Sequence, residues 1–158
     1  MDSNLEQRVI ALLNGRGQTA ATAESCTGGL IGHRLTGIPG ASACYLGGVI
    51  AYHNDVKEHV LGVPGGLLAA RGAVSEAVAG AMAAGARGLF NADYALAVTG
   101  IAGPTGGTPE KPVGLVFIAV ARDGATRVVE HRFSGGRHEI KAQTAEAALT
   151  MLLDWIDQ

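Results

Sequence analysis

The sequence predicts an α/β protein, a three-layer α/β/α sandwich around a mixed, mostly parallel sheet, as a single domain over residues 1–158. Three observations predict it. Apolar runs of strand length alternate with helix-period runs along most of the chain. One strong hairpin signal, Asp123-Gly124 between two β-like runs, adds an antiparallel pair. The 158 residues are 47% hydrophobic but only 4% aromatic, which suits one domain whose core is built from Ala, Val, Leu and Ile.

The elements follow in order. Ser3-x-x-Glu6 reads as a capping box for a helix running through Leu13 and stopping at Asn14-Gly15. A short β-like run from Gln18 to Thr22 leads into the turn Ala23-Glu24-Ser25-Cys26-Thr27-Gly28-Gly29, and the apolar-periodic run Leu30 to Leu35 follows it. That helix ends near Gly37-Ile38-Pro39-Gly40. Cys44 to Tyr52 is a near-continuous apolar run of strand length. Asn54 then reads as the N-cap of a short helix ending at Gly62, with Pro64 just beyond. Ser75-Glu76 opens an Ala-rich helix to about Leu89, and Tyr94 to Val98 is a buried strand. A long Gly/Pro loop, Thr99 to Pro112, separates that strand from the hairpin strands Val113 to Arg122 and Thr126 to Phe133. Ser134-Gly135-Gly136 leads into the last helix, Glu139 to about Ile156.

Bulk properties exclude several classes. A net charge of −2 gives no basic face for nucleic acid, and no apolar run is long enough to span a bilayer. The N-terminus lacks the basic and apolar regions of a signal peptide, so a cytoplasmic protein is expected. Cys26 and Cys44 form no metal-ligand pattern with nearby histidines and suit a reducing interior; neither metal nor cofactor is expected.

The chemistry concentrates at the Ser25 turn. A serine on a strand-to-helix turn has unpaired backbone N–H groups and the positive end of a helix dipole as neighbours. Such a place binds an anion or stabilises the oxyanion of an attacked carbonyl. On the segment alone, Ser25 and Thr27 read more economically as helix caps, with Gly28 and Gly29 there for close packing. A nucleophilic serine also needs a base. None of His33, His53, His59, His131 and His138 sits in a triad motif, and all lie in polar or helical surface contexts.

Tyr52 and Lys57 answer that need better. Tyr52 ends an apolar strand, where open α/β sheets place their ligand crevices. With Asn54 as N-cap, Lys57 is the third helical position, where the helix terminus repels a cation and favours the neutral amine of a general base. An exposed lysine at an imperfectly placed helix start remains the alternative. Lys57 would deprotonate Ser25 directly or through Tyr52. The loop Thr99-Gly100-Ile101-Ala102-Gly103 onward offers backbone N–H groups and hydroxyls without bulky side chains; its length favours a binding role, although it lacks a P-loop ending. Arg137, at the start of the last helix, could pair with a phosphate or stand as a solvated charge. Glu24 either orients the site or interacts only with the helix start.

Taken together, these segments resemble the CinA C-terminal domain family over nearly the whole chain, from about Glu6 to the last helix. The resemblance rests on Thr22-Ala23-Glu24-Ser25-Cys26-Thr27-Gly28-Gly29 and Leu46-Gly47-Gly48-Val49-Ile50-Ala51-Tyr52. Gly72-Ala73-Val74-Ser75, Ala97-Val98-Thr99-Gly100-Ile101-Ala102-Gly103-Pro104 and Gly107-Thr108-Pro109-Glu110-Lys111-Pro112-Val113-Gly114 extend it in the same order. The resemblance implies hydrolysis of the carboxamide of nicotinamide mononucleotide to nicotinate mononucleotide and ammonia, by a metal-independent serine mechanism. It implies Ser25, Tyr52 and Lys57 as the catalytic trio, with Thr27, Gly28, Gly29, Thr99, Gly100, Ile101, Ala102, Gly103 and Arg137 holding the substrate.

Departures from the family pattern fall at His53, where a small serine is common, at Gly136, where an aspartate often stands, and at Lys141 in place of an arginine. A small-molecule nucleotide is the expected partner, with a homodimer or higher homo-oligomer as the assembly. The sequence also resembles the form of the family without an additional N-terminal domain. Two other readings stay open: a nucleotide-binding or partner module that has lost its chemistry, and a serine hydrolase of another small amide.

Overall fold

Residues 4–158 are described in the computed structural model; Ser3, half of the expected capping box, lies outside them. The first helix, α1 (Leu5–Arg16), is capped instead by Asn4, whose side chain accepts from the Gln7 amide while the Gln7 side chain accepts from Asn4. It runs past Asn14-Gly15 because the left-handed residue that ends it is Gly17, at φ +62°. Glu6 is thereby free for Arg34, which it meets in an ion pair.

β1 (Ala20–Glu24) leads through the Ser25 turn to α2 (Leu30–Thr36), a 3-10 turn at Ala41–Ala43 and β2 (Tyr45–Ile50). Next come α3 (Asn54–His59), α4 (Gly65–Arg71) and α5 (Glu76–Phe90), the last capped by Ser75. β3 (Tyr94–Gly100), β4 (Leu115–Arg122), β5 (Ala125–Arg132) and α6 (Arg137–Ile156) complete the order. α4 was not expected. Pro64, which reads as lying just beyond a helix end, is instead the N-cap of α4, with Gly65 and Gly66 as its first residues.

The sheet order is β2-β1-β3-β4-β5, with β1 parallel to both β2 and β3, and β3–β4 and β4–β5 antiparallel. Four strands therefore run one way and only β4 runs against them, so the sheet is mixed, with two parallel and two antiparallel pairings. Its two faces differ in the size of their side chains. Leu96, Val98, Val116, Ile118 and Val120 pack toward α1, α2 and α6, together with Val9, Leu13, Ile31, Leu35 and Leu149. Ala95, Ala97, Ala119 and Ala121 face α5, together with Val78, Met82 and Ala86. Alternation along a strand produces both faces, and the alanine face lets the Ala/Gly-rich α5 lie close to the sheet.

Gly85 brings α5 just as close to the segment after α3, since a Cβ there would overlap the Leu61 carbonyl. Gly88, by contrast, has nothing within 4 Å of its Cβ position and no left-handed φ. Gly88→Ala is expected to stabilise the protein by about 0.5 kcal/mol, the low end for a helical glycine because it lies in the last turn. A urea midpoint measured against the parent checks this. No helix among the described residues is long and apolar enough to cross a membrane.

Candidate active site

The three parallel strands β2, β1 and β3 end at one edge of the sheet, and their carboxyl ends supply the site. The chain from β1 turns outward to β2, and β3 joins on the other side, which makes this a switch point of an open α/β sheet. Ser25 directly follows β1, and its amide extends the parallel ladder by donating to the Val98 carbonyl at 3.1 Å. Ala51 and Tyr52 follow β2, with the Ala51 amide held on the Glu24 carbonyl at 2.8 Å. Thr99 and Gly100 are the last residues of β3 rather than the start of a loop.

Lys57 reaches this edge from below. It lies in α3, whose N-cap is His53 rather than Asn54: the His53 Nδ1 accepts from the Asp55 amide at 3.1 Å. The imidazole does the capping work of the serine common at that place, in the tautomer that leaves Nδ1 bare. The shift makes Lys57 the fourth helical residue. Its side chain turns back toward the start of the helix, as helical side chains do, and ends 1% exposed. There Nζ lies 3.0 Å from Ser25 Oγ, 2.7 Å from the Ala51 carbonyl oxygen and 3.3 Å from that of Tyr52. Among the described residues, no carboxylate contacts it. Burial pushes the Lys57 amine below its usual value of 10.5, opposed only slightly by Cys26.

The three partners define what the amine does. Two are carbonyl oxygens, which only accept, and a neutral amine has two N–H groups and one lone pair. As an ammonium, Lys57 donates to all three oxygens; as a neutral amine with both N–H groups on Ala51 and Tyr52, it would turn its lone pair to the Ser25 hydroxyl. That is the arrangement of a base poised on a nucleophile.

Tyr52 contributes its main chain to Lys57 and its ring elsewhere. The ring is 62% exposed, and its hydroxyl accepts from Arg137 Nη2 at 3.0 Å. Arg137 Nη1 donates to the Gly103 carbonyl at 2.8 Å, so one guanidinium ties the β2–α3 connection to the loop after β3. Of the two expected routes from Lys57 to Ser25, the direct one is present, whereas the Tyr52 hydroxyl is engaged by Arg137.

Ser25, Tyr52, Lys57, Thr99, Gly100, Ala102 and Arg137 line one cavity of about 200 Å³. Cys26, Asn54, Ala73 and Val74 complete its wall. Reasoning from sequence gave these four no site role, although Ala73 and Val74 lie in a block that carried the family resemblance. Thr99 Oγ1 donates to the Ala73 carbonyl at 2.9 Å and joins the two walls. Burial pushes the Cys26 thiol up to about 12, so it stays protonated beside Ser25.

Other expected binding residues turn away. Thr27 is buried, and its hydroxyl donates to Glu24 Oε1 at 2.6 Å. The Gly29 amide donates to the same oxygen at 3.2 Å, as does the Ile31 amide at 2.9 Å, while Gly32 reaches Oε2 at 3.0 Å. The positive end of α2, expected to face a ligand, is thus occupied by the protein's own carboxylate. The Gly28 amide donates to the Ser25 carbonyl, and the Ile101 amide to that of Leu115. Gly103 serves through its carbonyl. At the other departures from the family pattern, the Gly136 amide is held by Glu139 Oε1 at 3.1 Å, and Lys141 Nζ faces Gly28, 3.8 Å from its Cβ position.

None of the five histidines lines the cavity; His131 stacks on Phe133 with centroids 5.1 Å apart. A larger groove of about 470 Å³ runs between β5 and α6 along Val129, Phe133, Met151 and Trp155, away from all these groups.

Known proteins share this fold and sequence. The model of the CinA C-terminal domain matches residues 2–156. A CinA-like protein of Anaeromyxobacter sp. (strain Fw109-5) is 56% identical over 144 residues, 91% of this chain and 35% of that protein. One from Geobacter sulfurreducens is 49% identical over 155 residues, 98% of this chain and 37% of its own length. The chain thus spans little more than a third of these curated relatives. The crystal structure of competence/damage inducible protein CihA from Agrobacterium tumefaciens superposes with a TM-score of 0.94 at 47% identity, covering 98% of this chain and 94% of that one. The competence damage-inducible protein A (ComA) of Klebsiella pneumoniae gives 0.92 at 37% identity, with coverage of 95% and 93%. The chain belongs to the CinA C-terminal domain family.

Proposed function

We propose that the chain is an amidohydrolase that converts nicotinamide mononucleotide to nicotinate mononucleotide and ammonia, with Ser25 as nucleophile and Lys57 as its base. One observation carries the reading: a fully buried lysine that contacts no carboxylate among the described residues and stands 3.0 Å from Ser25 Oγ, where its neutral form would present a lone pair. A lysine kept only for structure would be paired with an acid or left in water.

In this mechanism Ser25 Oγ bonds to the carboxamide carbon as its proton passes to Lys57 Nζ. The carbonyl oxygen becomes an oxyanion. Among the described residues, the Cys26 amide donates to no main-chain acceptor, and Cys26 lines the cavity. This amide, directly after the nucleophile, would hold the oxyanion. Collapse breaks the C–N bond, and the leaving nitrogen takes the proton back from Lys57. Water then attacks the acyl-Ser25 ester with Lys57 again as base, releasing the nicotinate and restoring the serine. The cavity is smaller than most ligand pockets and suits a pyridine ring with its amide. The ribose-phosphate would then extend outward past Tyr52 and Arg137.

The test is ammonia release from nicotinamide mononucleotide, with free nicotinamide and a chelator-treated sample alongside. Steady release from the mononucleotide, little from nicotinamide and no loss with chelator are expected. Binding of the mononucleotide without ammonia would make the chain a nucleotide-binding module. Release from other small amides in preference would move the substrate but keep the chemistry.

A further inference from the structure

We propose that Glu24 is a positioning residue, whose carboxylate clasps the Ser25 turn and sets the direction of the Cys26 amide; this rests on the reading of Ser25 as nucleophile. Glu24 is the last residue of β1, fixed by main-chain pairing to Ile50 on one side and Val98 on the other. Its side chain is 2% exposed and does not line the cavity, so it does not touch substrate. Yet it accepts four hydrogen bonds, from Thr27 Oγ1 and from the Gly29, Ile31 and Gly32 amides.

The bond to Thr27 closes a small ring. Glu24 and Thr27 are its ends, and Ser25 and Cys26 lie between them, so the backbone of the nucleophile is held against the rigid sheet at both ends. The other three bonds dock the start of α2 on the same carboxylate. A single side chain therefore fixes where the Cys26 amide points. The main chain of Glu24 acts on the base as well, because its carbonyl holds the Ala51 amide and the Ala51 carbonyl holds Lys57 Nζ. A carboxylate is required rather than an amide. All four partners are donors, and a glutamine must present N–H groups to at least one of them.

A turn that positions this amide matters most when the oxyanion forms, so the loss of Glu24 falls on the chemical step and spares binding. The experiment compares the parent with Glu24→Gln and Thr27→Val, each shown to be folded by circular dichroism. One readout is the rate at which a fluorophosphonate labels Ser25; the other is calorimetric affinity for nicotinamide mononucleotide. Labelling by Glu24→Gln is expected to slow by about 10- to 100-fold, below the ~10²–10³ cost of losing an oxyanion donor outright. Affinity should stay within about twofold. Thr27→Val, which opens the ring but keeps the carboxylate, should fall between Glu24→Gln and the parent, and it carries the test alone if Glu24→Gln does not fold.

Unchanged labelling in a folded variant overturns the positioning role. So does a loss of affinity as large as the loss of labelling. A parent protein that is not labelled at Ser25 overturns the nucleophile itself, and the positioning role with it; a labelled parent with unaffected variants overturns the positioning role alone.

Discussion

Lys57→Met is expected to reduce ammonia release from nicotinamide mononucleotide by about 10⁴-fold or more, to the level of Ser25→Ala. The double variant should be no worse than either single one, because groups that act as a unit are lost together. Methionine keeps the length and the apolar stem of the lysine but has no lone pair comparable to an amine. The fold should survive, because the change also removes the cost of burying a charge. Stopped assays on the three variants, each checked by circular dichroism, measure the effect.

On the proposed mechanism, the same lysine gives the parent protein a characteristic pH dependence. Its folded-state pKa lies below the 10.5 of an ordinary lysine because of burial. In the proposed mechanism the neutral amine is the active form, so kcat/KM should rise with pH and reach half its plateau below 10.5. Stability follows the same direction. Between the folded and unfolded pKa values the unfolded chain binds more protons, so stability increases as pH rises through that window, and the full cost persists below it. Urea midpoints across the alkaline range should show this slope in the parent and not in Lys57→Met.

Gly85→Ala is expected to destabilise the protein by about 2–3 kcal/mol, even though alanine is the better helix former. The new Cβ would overlap the Leu61 carbonyl oxygen and stand 2.9 Å from the carbonyl carbon and 3.3 Å from Leu61 Cα. Those are main-chain atoms, which cannot rotate aside as a side chain would. The relief must come from moving α5 off the segment that follows α3. A melting temperature lower by roughly 5–10 °C is expected for a domain of this size. Because Lys57 sits in α3, turnover of the folded fraction should fall as well. Gly88→Ala, three positions on, serves as the control that separates the clash from the change of residue type.

The sequence was most legible where chemistry is local. Ser75, Asp123-Gly124 and the apolar runs marked element ends and strands because caps and turns act over a few residues, whereas the helix expected to end at Gly62 ends at His59 with Val60 as its C-cap. α4 was hidden because Pro64 reads as lying just beyond a helix end and seven residues show no clear helical period. Ser25 stood out by its turn and Lys57 by its place near a helix start. The reason for Lys57 proved different, however: its side chain folds back into a dry edge of the sheet, which no spacing reveals. Thr27 and Glu24 could not be assigned for a related cause. Whether a turn hydroxyl faces the cavity or a buried carboxylate depends on side-chain direction. Ala73 and Val74 became cavity wall through the docking of Ala73 on Thr99, 26 residues away.

The position of β1 between β2 and β3 also bears on how the protein folds. β1 pairs with β2 about 25 residues on (45 − 20), but with β3 only 74 residues on (94 − 20). Contacts that distant in the chain form late, because loop closure must be paid for before pairing rewards it. Ser25 and Lys57 both lie in the early, local part, between Ala20 and Val63. The Val98 carbonyl that anchors the Ser25 amide belongs to the late part. A refolding experiment should therefore gain helix signal before it gains labelling of Ser25, and activity should return with the pairing of β1 and β3.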